Sequence, residues 1–315
     1  MGGRFAAQGK PRIVLMQNNE TAVVFVNRCA GGGIAPRKIE QVRADFAQRN
    51  FAVTFVEPGS PEEFQDSMRT ACQSGCRKLV ALGGDGTLQL LARETMGRGA
   101  AIGVIPSGGG NDFAAALGIR SWRQGVQVIA EGRTREVDAL RVRFASGEQA
   151  FYLGGGGVGL DAEAAREASG KFLRWPGRLR YLAAAITALH GYSGLDIELE
   201  DEHYAAKICG RVLLAAVLNT STYGGGICLA PGARIDDGEL DVVIVEMLSP
   251  WQILKMIPRL LVTGELRTNR AKRFRTKKIR LTLNEKRWFH GDGELLGQTP
   301  LEVQVVPRAI RVFAP

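Results

Sequence analysis

The sequence predicts an α/β unit built on a parallel sheet, followed by a β-rich unit. Three observations lead there. Strand-like and helix-like segments alternate as far as about residue 137. Beyond it, strands follow one another with few helices between them. The glycine clusters of the first half fall where its strands end, the usual ligand-binding edge of a parallel sheet. A length of 315 residues suits about two domains of ~150 residues each. We place the first domain at residues 20–136 and the second at 137–305, with 306–315 free to return to the first.

Thr21–Asn27 reads as a buried strand entering a Gly-rich loop at Ala30–Gly33. A helix follows from Pro36 to Asn50, with Ile39, Val42 and Phe46 on one face. Phe51–Glu57 is the second strand. Ser60 then reads as an N-cap, Pro61 as the first helical residue and Glu63 as the closing member of a capping box. Lys78–Leu82 is the third strand, a helix begins near Leu88, and Ala101–Ile105 is the fourth strand. In the second half Leu140–Phe144, Gln149–Leu153, Leu195–Glu200, Ala206–Leu218, Leu240–Val245, Lys278–Leu283 and Leu301–Val306 read as strands. Helical stretches around Arg178–His190 and Pro250–Leu261 interrupt them. Gly154–Gly159 matches GxGxxG, but no acid lies between Glu167 and Asp196 to hold a ribose, so a tight bend between packed layers is favoured over a dinucleotide site.

Composition narrows the function. Forty-one Lys+Arg against 32 Asp+Glu give +9, which favours an anionic partner. Five cysteines without a CxxC pair fit a reducing compartment, and three scattered histidines do not make a His-rich metal site. No charged-then-apolar leader or run of ~18–20 apolar residues occurs, so a cytoplasmic protein is expected.

Gly83-Gly84-Asp85-Gly86-Thr87 sits at a strand-to-helix junction, where successive backbone N–H groups make an anion nest and a Cβ would block a phosphate. By itself it reads equally as an Asp-Gly turn. Pro106-Ser-Gly-Gly-Gly-Asn111-Asp112-Phe113 occupies the end of the next strand, and Asp236-Asp237-Gly238-Glu239 and Gly291-Asp292-Gly293-Glu294 follow later. In this order the motifs resemble the diacylglycerol kinase catalytic-domain family of lipid kinases, which includes sphingosine and ceramide kinases and, more distantly, NAD kinases. The resemblance runs from about Thr21 to the C-terminus.

It implies a Rossmann-like nucleotide-binding domain and a C-terminal β-sandwich domain, with ATP and Mg²⁺ as cofactors. Asn27 and Gly31 would lie in a loop approaching the nucleotide; Gly83, Gly84, Asp85, Gly86 and Thr87, with Gly108, Gly109 and Asn111, would wrap its phosphates. Asp85, Asp112 and Asp237 would belong to a magnesium-and-water network completed by the backbone of Arg234 and Glu239. Asp85, Asp292 and Glu294 would be catalytic, with Glu294 as the base. Four departures stand out: Gly109 replaces a Thr, Ala115 an Arg and Gln89-Leu90 an Asn-Glu, and Val56 lies near the place of a nucleotide-contacting Thr.

The implied activity is ATP- and Mg²⁺-dependent phosphorylation of a lipid hydroxyl, with diacylglycerol as the first acceptor and ceramide or a sphingoid base next. A non-catalytic lipid or nucleotide sensor and a kinase of a soluble small molecule stay open. The expected partners are a lipid substrate and an anionic membrane surface met peripherally; a homodimer stays open. Nucleic acid is not expected, because no zinc or RNP-type pattern occurs. Residues 267–280 carry eight basic residues and no acid, suiting either an anionic bilayer or a solvated hairpin edge. Pro250–Leu261 favours a core helix over a membrane wedge. Phe172, Trp175 and Tyr181, among Lys171, Arg174, Arg178 and Arg180, offer a second surface for headgroups. Trp288, Phe289 and His290 read as packing or cleft walls.

Overall fold

The computed structural model describes residues 21–28, 30, 33–169, 183–184, 186–189, 191–201, 206–266 and 268–315. Gly31, Arg267 and the aromatic-basic surface from Lys171 to Tyr181 lie outside the described residues, as does most of the helix expected at Arg178–His190.

The first part contains β1 (Ala22–Val26), α1 (Pro36–Gln48), β2 (Val53–Val56), α2 (Pro61–Gln73), β3 (Lys78–Gly83), α3 (Asp85–Thr95), β4 (Ala101–Pro106), α4 (Asp112–Ala116) and α5 (Trp122–Glu131). Strands β2, β1, β3 and β4 pair in that order, all parallel. Every residue of β1 and β4 is buried, as expected of strands covered on both faces. Ser60 Oγ accepts from Glu63 N at 3.2 Å, and Glu63 Oε2 accepts from Gly59 N at 2.8 Å, so the cap reaches one residue further back than the simple box. The sequence reading missed α5 because Gly125 interrupts its pattern. That glycine lets the helix lie on β4: a Cβ there would stand 2.6 Å from Val104 O.

The second part is β-rich: β5 (Thr134–Phe144), β6 (Gln149–Tyr152), β7 (Gly155–Gly159), α6 (Leu160–Ser169), β8 (Leu195–Asp201), β9 (Ala206–Leu218), β10 (Thr222–Tyr223), β11 (Ile227–Cys228), β12 (Leu240–Glu246), α7 (Pro250–Thr263), β13 (Ala271–Thr276), β14 (Lys278–Leu283), β15 (Trp288–Gly291), β16 (Glu294–Gln298) and β17 (Leu301–Phe313). The α/β-plus-β-rich class expected from the sequence is the one observed. β17 joins the parts: it runs antiparallel beside β5 and β14, and near its end Arg311 and Val312 lie parallel to Ala101 and Ile102 of β4. Ile310, Val312 and Phe313 thereby enter the core of the first part, while Leu301, Val303 and Val305 belong to that of the second.

One expectation is corrected. Gly154–Gly159 is not a bend: residues 155–159 form β7, fully buried between β15 and β9. Glycine is required by close packing, since a Cβ on Gly156 would stand 2.4 Å from His290 O and one on Gly157 2.7 Å from Ala215 O. The basic run resolves into β13 and β14, whose cations face acids across the sheet: Lys272–Glu246 at 3.2 Å, Arg275–Asp241 at 3.3 Å and Lys278–Glu302 at 2.9 Å. Gly156→Ala should destabilise the fold by ~1–3 kcal/mol through overpacking. Chemical denaturation checks this, and an unchanged midpoint would contradict the tight β15–β7 contact.

Candidate active site

Three loops at the carboxyl ends of β1, β3 and β4 open one wall of a cavity of about 600 Å³. The β3 and β4 loops touch through bare backbone. Ser107 N donates to Gly83 O at 2.8 Å, and a Cβ on Gly108 would stand 2.6 Å from Gly84 Cα. Asn111, in the left-handed region at φ 60°, ties its own loop: its Oδ1 accepts from Gly108 N at 3.0 Å and its Nδ2 donates to Gly108 O at 2.7 Å. Asn27 Nδ2 donates to Thr87 Oγ1 at 2.9 Å, joining the β1 loop to the start of α3. Gly84, Gly86, Gly108, Gly109 and Gly110 all line the cavity, and a Cβ on Gly86 would meet nothing within 4 Å. This is a backbone cradle at the N-terminus of an 11-residue helix, the geometry that takes phosphate groups.

Three carboxylates face the cradle, each fastened by backbone N–H donors from another loop. Asp85 accepts from Asp112 N and Phe113 N, both at 3.2 Å. Asp112 Oδ2 accepts from Gly225 N at 2.8 Å, reaching across to the second part. Asp292 accepts from Leu153 N, Gly154 N and Gly155 N at 2.7, 2.9 and 3.1 Å. Burial, then the charges of Asp112 and Asp292, push the Asp85 carboxyl up to about 7 despite its two donors. Burial also raises Asp292, against the opposing pull of its three backbone donors and Arg93. A Cβ on Gly110 would lie 3.0 Å from Asp85 Oδ2 and 3.5 Å from Asp112 Oδ2, so both oxygens flank Gly110 beside the cradle.

Glu294 lines the same cavity and its Oε2 lies 3.1 Å from an Arg93 guanidinium nitrogen on α3. Asp237 is not among the lining residues; its Oδ1 accepts from Glu239 N at 3.1 Å and Arg275 lies 3.9 Å from its Oδ2. Arg234 stands 3.6 Å from Asp236, also away from the cavity. The structure therefore gathers Asn27, the two glycine loops, Asp85, Asp112, Asp292 and Glu294, and leaves the 234–239 turn apart. Among the described residues no group of three or more His, Cys, Asp or Glu forms a ready metal cage.

Beyond the carboxylates the cavity turns apolar, walled by Leu213, Leu214, Val245, Ile253, Met256 and Leu260. At the transition His290 Nε2 lies 2.5 Å from the Tyr223 hydroxyl and 3.3 Å from Asp161 Oδ2. The reading of His290 as a cleft wall agrees with this placement, whereas Phe289 is core and Trp288 half-exposed. Sequence reasoning gave no role to Arg93, Gly225, Asp161 or Tyr223. Gly225 carried a signal in the 224–226 cluster; the other three carried none, because their partners are remote in the chain.

The Asp85 shift has a thermodynamic sign. A carboxyl raised in the folded state binds more protons there than in the unfolded chain, so stability is present at low pH and is lost as pH rises from about 4 towards 7. Thermal melts of nucleotide-free, chelator-treated protein should fall over that range, and less steeply in Asp85→Asn. Equal slopes would remove Asp85 as the source.

The profile of the diacylglycerol kinase catalytic domain matches residues 21–142, and that of the YegS C-terminal NAD kinase beta sandwich-like domain matches residues 154–314. A diacylglycerol kinase of Mycobacterium tuberculosis is 25% identical over 297 residues, covering 92% of this chain and 94% of that protein. A Pseudomonas aeruginosa protein named "Probable lipid kinase YegS-like" is 30% identical over 289 residues, covering 88% and 90%. The crystal structure of a diacylglycerol kinase from Bacillus anthracis superposes with a TM-score of 0.71 at 16% identity, over 94% of this chain and 97% of that one, which speaks for the fold. Paired domains matched in order over nearly the whole length, around a cavity with a phosphate cradle at one end and an apolar wall at the other, place the chain in the diacylglycerol kinase catalytic-domain family, as a lipid kinase.

Proposed function

We propose that the protein transfers the γ-phosphoryl group of ATP to the hydroxyl of a membrane lipid, with diacylglycerol as the leading acceptor, and that it works on the cytoplasmic face of the membrane as a peripheral enzyme. One observation carries the reading: phosphate cradle, carboxylates and apolar wall belong to a single cavity. A water-soluble acceptor would leave the apolar half without purpose. No helix among the described residues is long and apolar enough to cross a membrane.

Phosphoryl transfer asks for positioning and charge neutralisation more than covalent chemistry. The backbone N–H groups of the two glycine loops would take the phosphate oxygens. Asp85 and Asp112, whose oxygens flank Gly110, would hold Mg²⁺, which uses one or two carboxylates and fills its shell with phosphate and water. When bound, the ion would offset the phosphate charge. Glu294 would accept the proton of the lipid hydroxyl as its oxygen attacks, a contribution of typically ~10²–10⁴-fold. Arg93 would hold that carboxylate towards the cavity from the nucleotide-binding part, so that base and cradle move together.

The test offers diacylglycerol, ceramide and sphingosine separately in detergent with Mg²⁺ and γ-labelled ATP. Label should enter the organic phase with diacylglycerol and be lost in Asp85→Asn; label only in a water-soluble product would overturn the reading. Glu294→Gln should lower kcat by ~10²-fold or more while nucleotide affinity holds. Loss of nucleotide binding to the same extent would remove it as the base. Arg93→Gln should lower kcat by about tenfold at unchanged nucleotide KM, with partial recovery in Arg93→Lys. A change confined to nucleotide KM would place Arg93 on the phosphates instead.

A further inference from the structure

Helix α7 is well delimited at both ends, yet its described residues are only half-buried or exposed. Ser249 and Gln252 close a capping box at its start, and Gly264 ends it in the left-handed conformation at φ 72°. No described residue of this 14-residue helix is fully buried, although Ile253 and Met256 pack half-buried against the core cluster that includes Leu213 and Val245. Its inner residues Ile253, Met256 and Leu260, at helical spacing, wall the apolar half of the cavity. Its outer surface is not that of a helix facing water. Trp251 is 72% exposed and Val262 83%, the two most exposed large hydrophobic side chains among the described residues. Ile186, which also lines the cavity, is 49% exposed at the same rim. From Ser249 to Gly264 there is no acid; Lys255 and Arg259 are exposed cations, the latter 3.5 Å from Glu265.

We propose that α7 is the membrane-contacting wall of the acceptor cavity, placing Trp251 and Val262 in the boundary between headgroups and acyl chains, and that apolar insertion rather than attraction to anionic lipid holds the protein there. The inference rests on the lipid-acceptor reading above. An enzyme that brings no spanning helix among its described residues must carry its cavity to the bilayer, and the cavity's apolar half lies directly behind α7. Trp is suited to that boundary because its ring is apolar and its N–H polar. Lys255 matches a headgroup phosphate, while Arg259 is partly offset by Glu265 just beyond the helix. The basic strands are the weaker candidate for the contact. Lys272, Arg275 and Lys278 face Glu246, Asp241 and Glu302, and Arg280 lies 3.8 Å from Glu200, so acids of the same sheet offset their field.

The experiment compares the full chain with the double variant Trp251→Ser/Val262→Ser by vesicle sedimentation. The vesicles are phosphatidylcholine alone or with phosphatidylglycerol, at low salt and at about 1 M salt, where the Debye length is ~3 Å. Neither residue lines the cavity. Equal melting temperatures will show that the variant is folded. The wild type should bind phosphatidylcholine vesicles at both salt concentrations, and the variant should bind about tenfold more weakly. Turnover of a short-chain diacylglycerol dispersed as monomers should stay within about twofold, because that acceptor needs no bilayer. Three results would overturn the proposal: unchanged vesicle binding by the variant, wild-type binding that requires phosphatidylglycerol and vanishes in high salt, or a variant that only turns a dimer into a monomer. Failure of both proteins to phosphorylate the short-chain acceptor would instead count against the lipid-kinase chemistry, and the binding comparison would still decide the role of α7.

Discussion

Carboxylate oxygens that accept backbone N–H groups from other loops fix the acids of the cavity, and one of these bonds, Gly225 N to Asp112, crosses between the molecule's two parts. Asp85, Asp112 and Asp292 project from loops far apart in sequence, and three acids brought close together repel one another. Each is retained because an adjoining loop turns its amides towards it: residues 112–113 serve Asp85, Gly225 serves Asp112, and residues 153–155 serve Asp292. The second of these bonds crosses from the α/β part to the β-rich part. The third lies at the start of β7, where Gly155 N meets the carboxylate, while the glycines of β7 press closely on β15 and β9 along its length. The raised position of Asp85 is the residual cost of the arrangement.

The same bonds divide labour among the acids. Asp292 gives its two oxygens to three amides and stands in the left-handed region at φ 50°, a conformation that turns the following Gly293-Glu294 into the cavity. It acts as an anchor for the neighbour that carries the proposed chemistry. Among the described residues Glu294 meets the guanidinium of Arg93 and has no amide donor of this kind. A proton acceptor needs lone pairs that no amide has taken; a carboxylate whose oxygens are all engaged by amides lacks them.

What the sequence disclosed follows from the range of the interactions. The strands of the first part were legible because burial on both faces leaves continuous apolar runs, and the cradle because Gly83, Gly84 and Gly86, and Gly108–Gly110, are clustered at strand ends. Helix α5 was hidden by Gly125, whose reason lies in Val104 across the sheet. The identity of β7 as a strand was hidden too, since a run of glycines has no hydrophobic period and only its neighbours reveal the lack of room. The basic run showed its charge but not its pairing, which depends on β12 and β17 lying beside β13 and β14. Arg93 was invisible for the same reason: its partner arrives from the opposite end of the chain.

The departures from the family pattern gain a physical meaning from these contacts. Val56 is packed in the core of the first part, and Gln89 is buried with its amide on Phe151 O, so neither side chain is available to a nucleotide. Leu90 lines the cavity where the pattern has a carboxylate, and Gly109 leaves bare backbone where it has a hydroxyl. Each change removes a side-chain contact and leaves the cradle's amides in place. Backbone donors read the charge and shape of a polyphosphate and nothing of the base attached to it. On the proposed reading, recognition in this chain is therefore shifted from the nucleoside towards the phosphates, and discrimination falls to the acceptor side, where Asp161, Tyr223 and His290 stand between the carboxylates and the apolar wall.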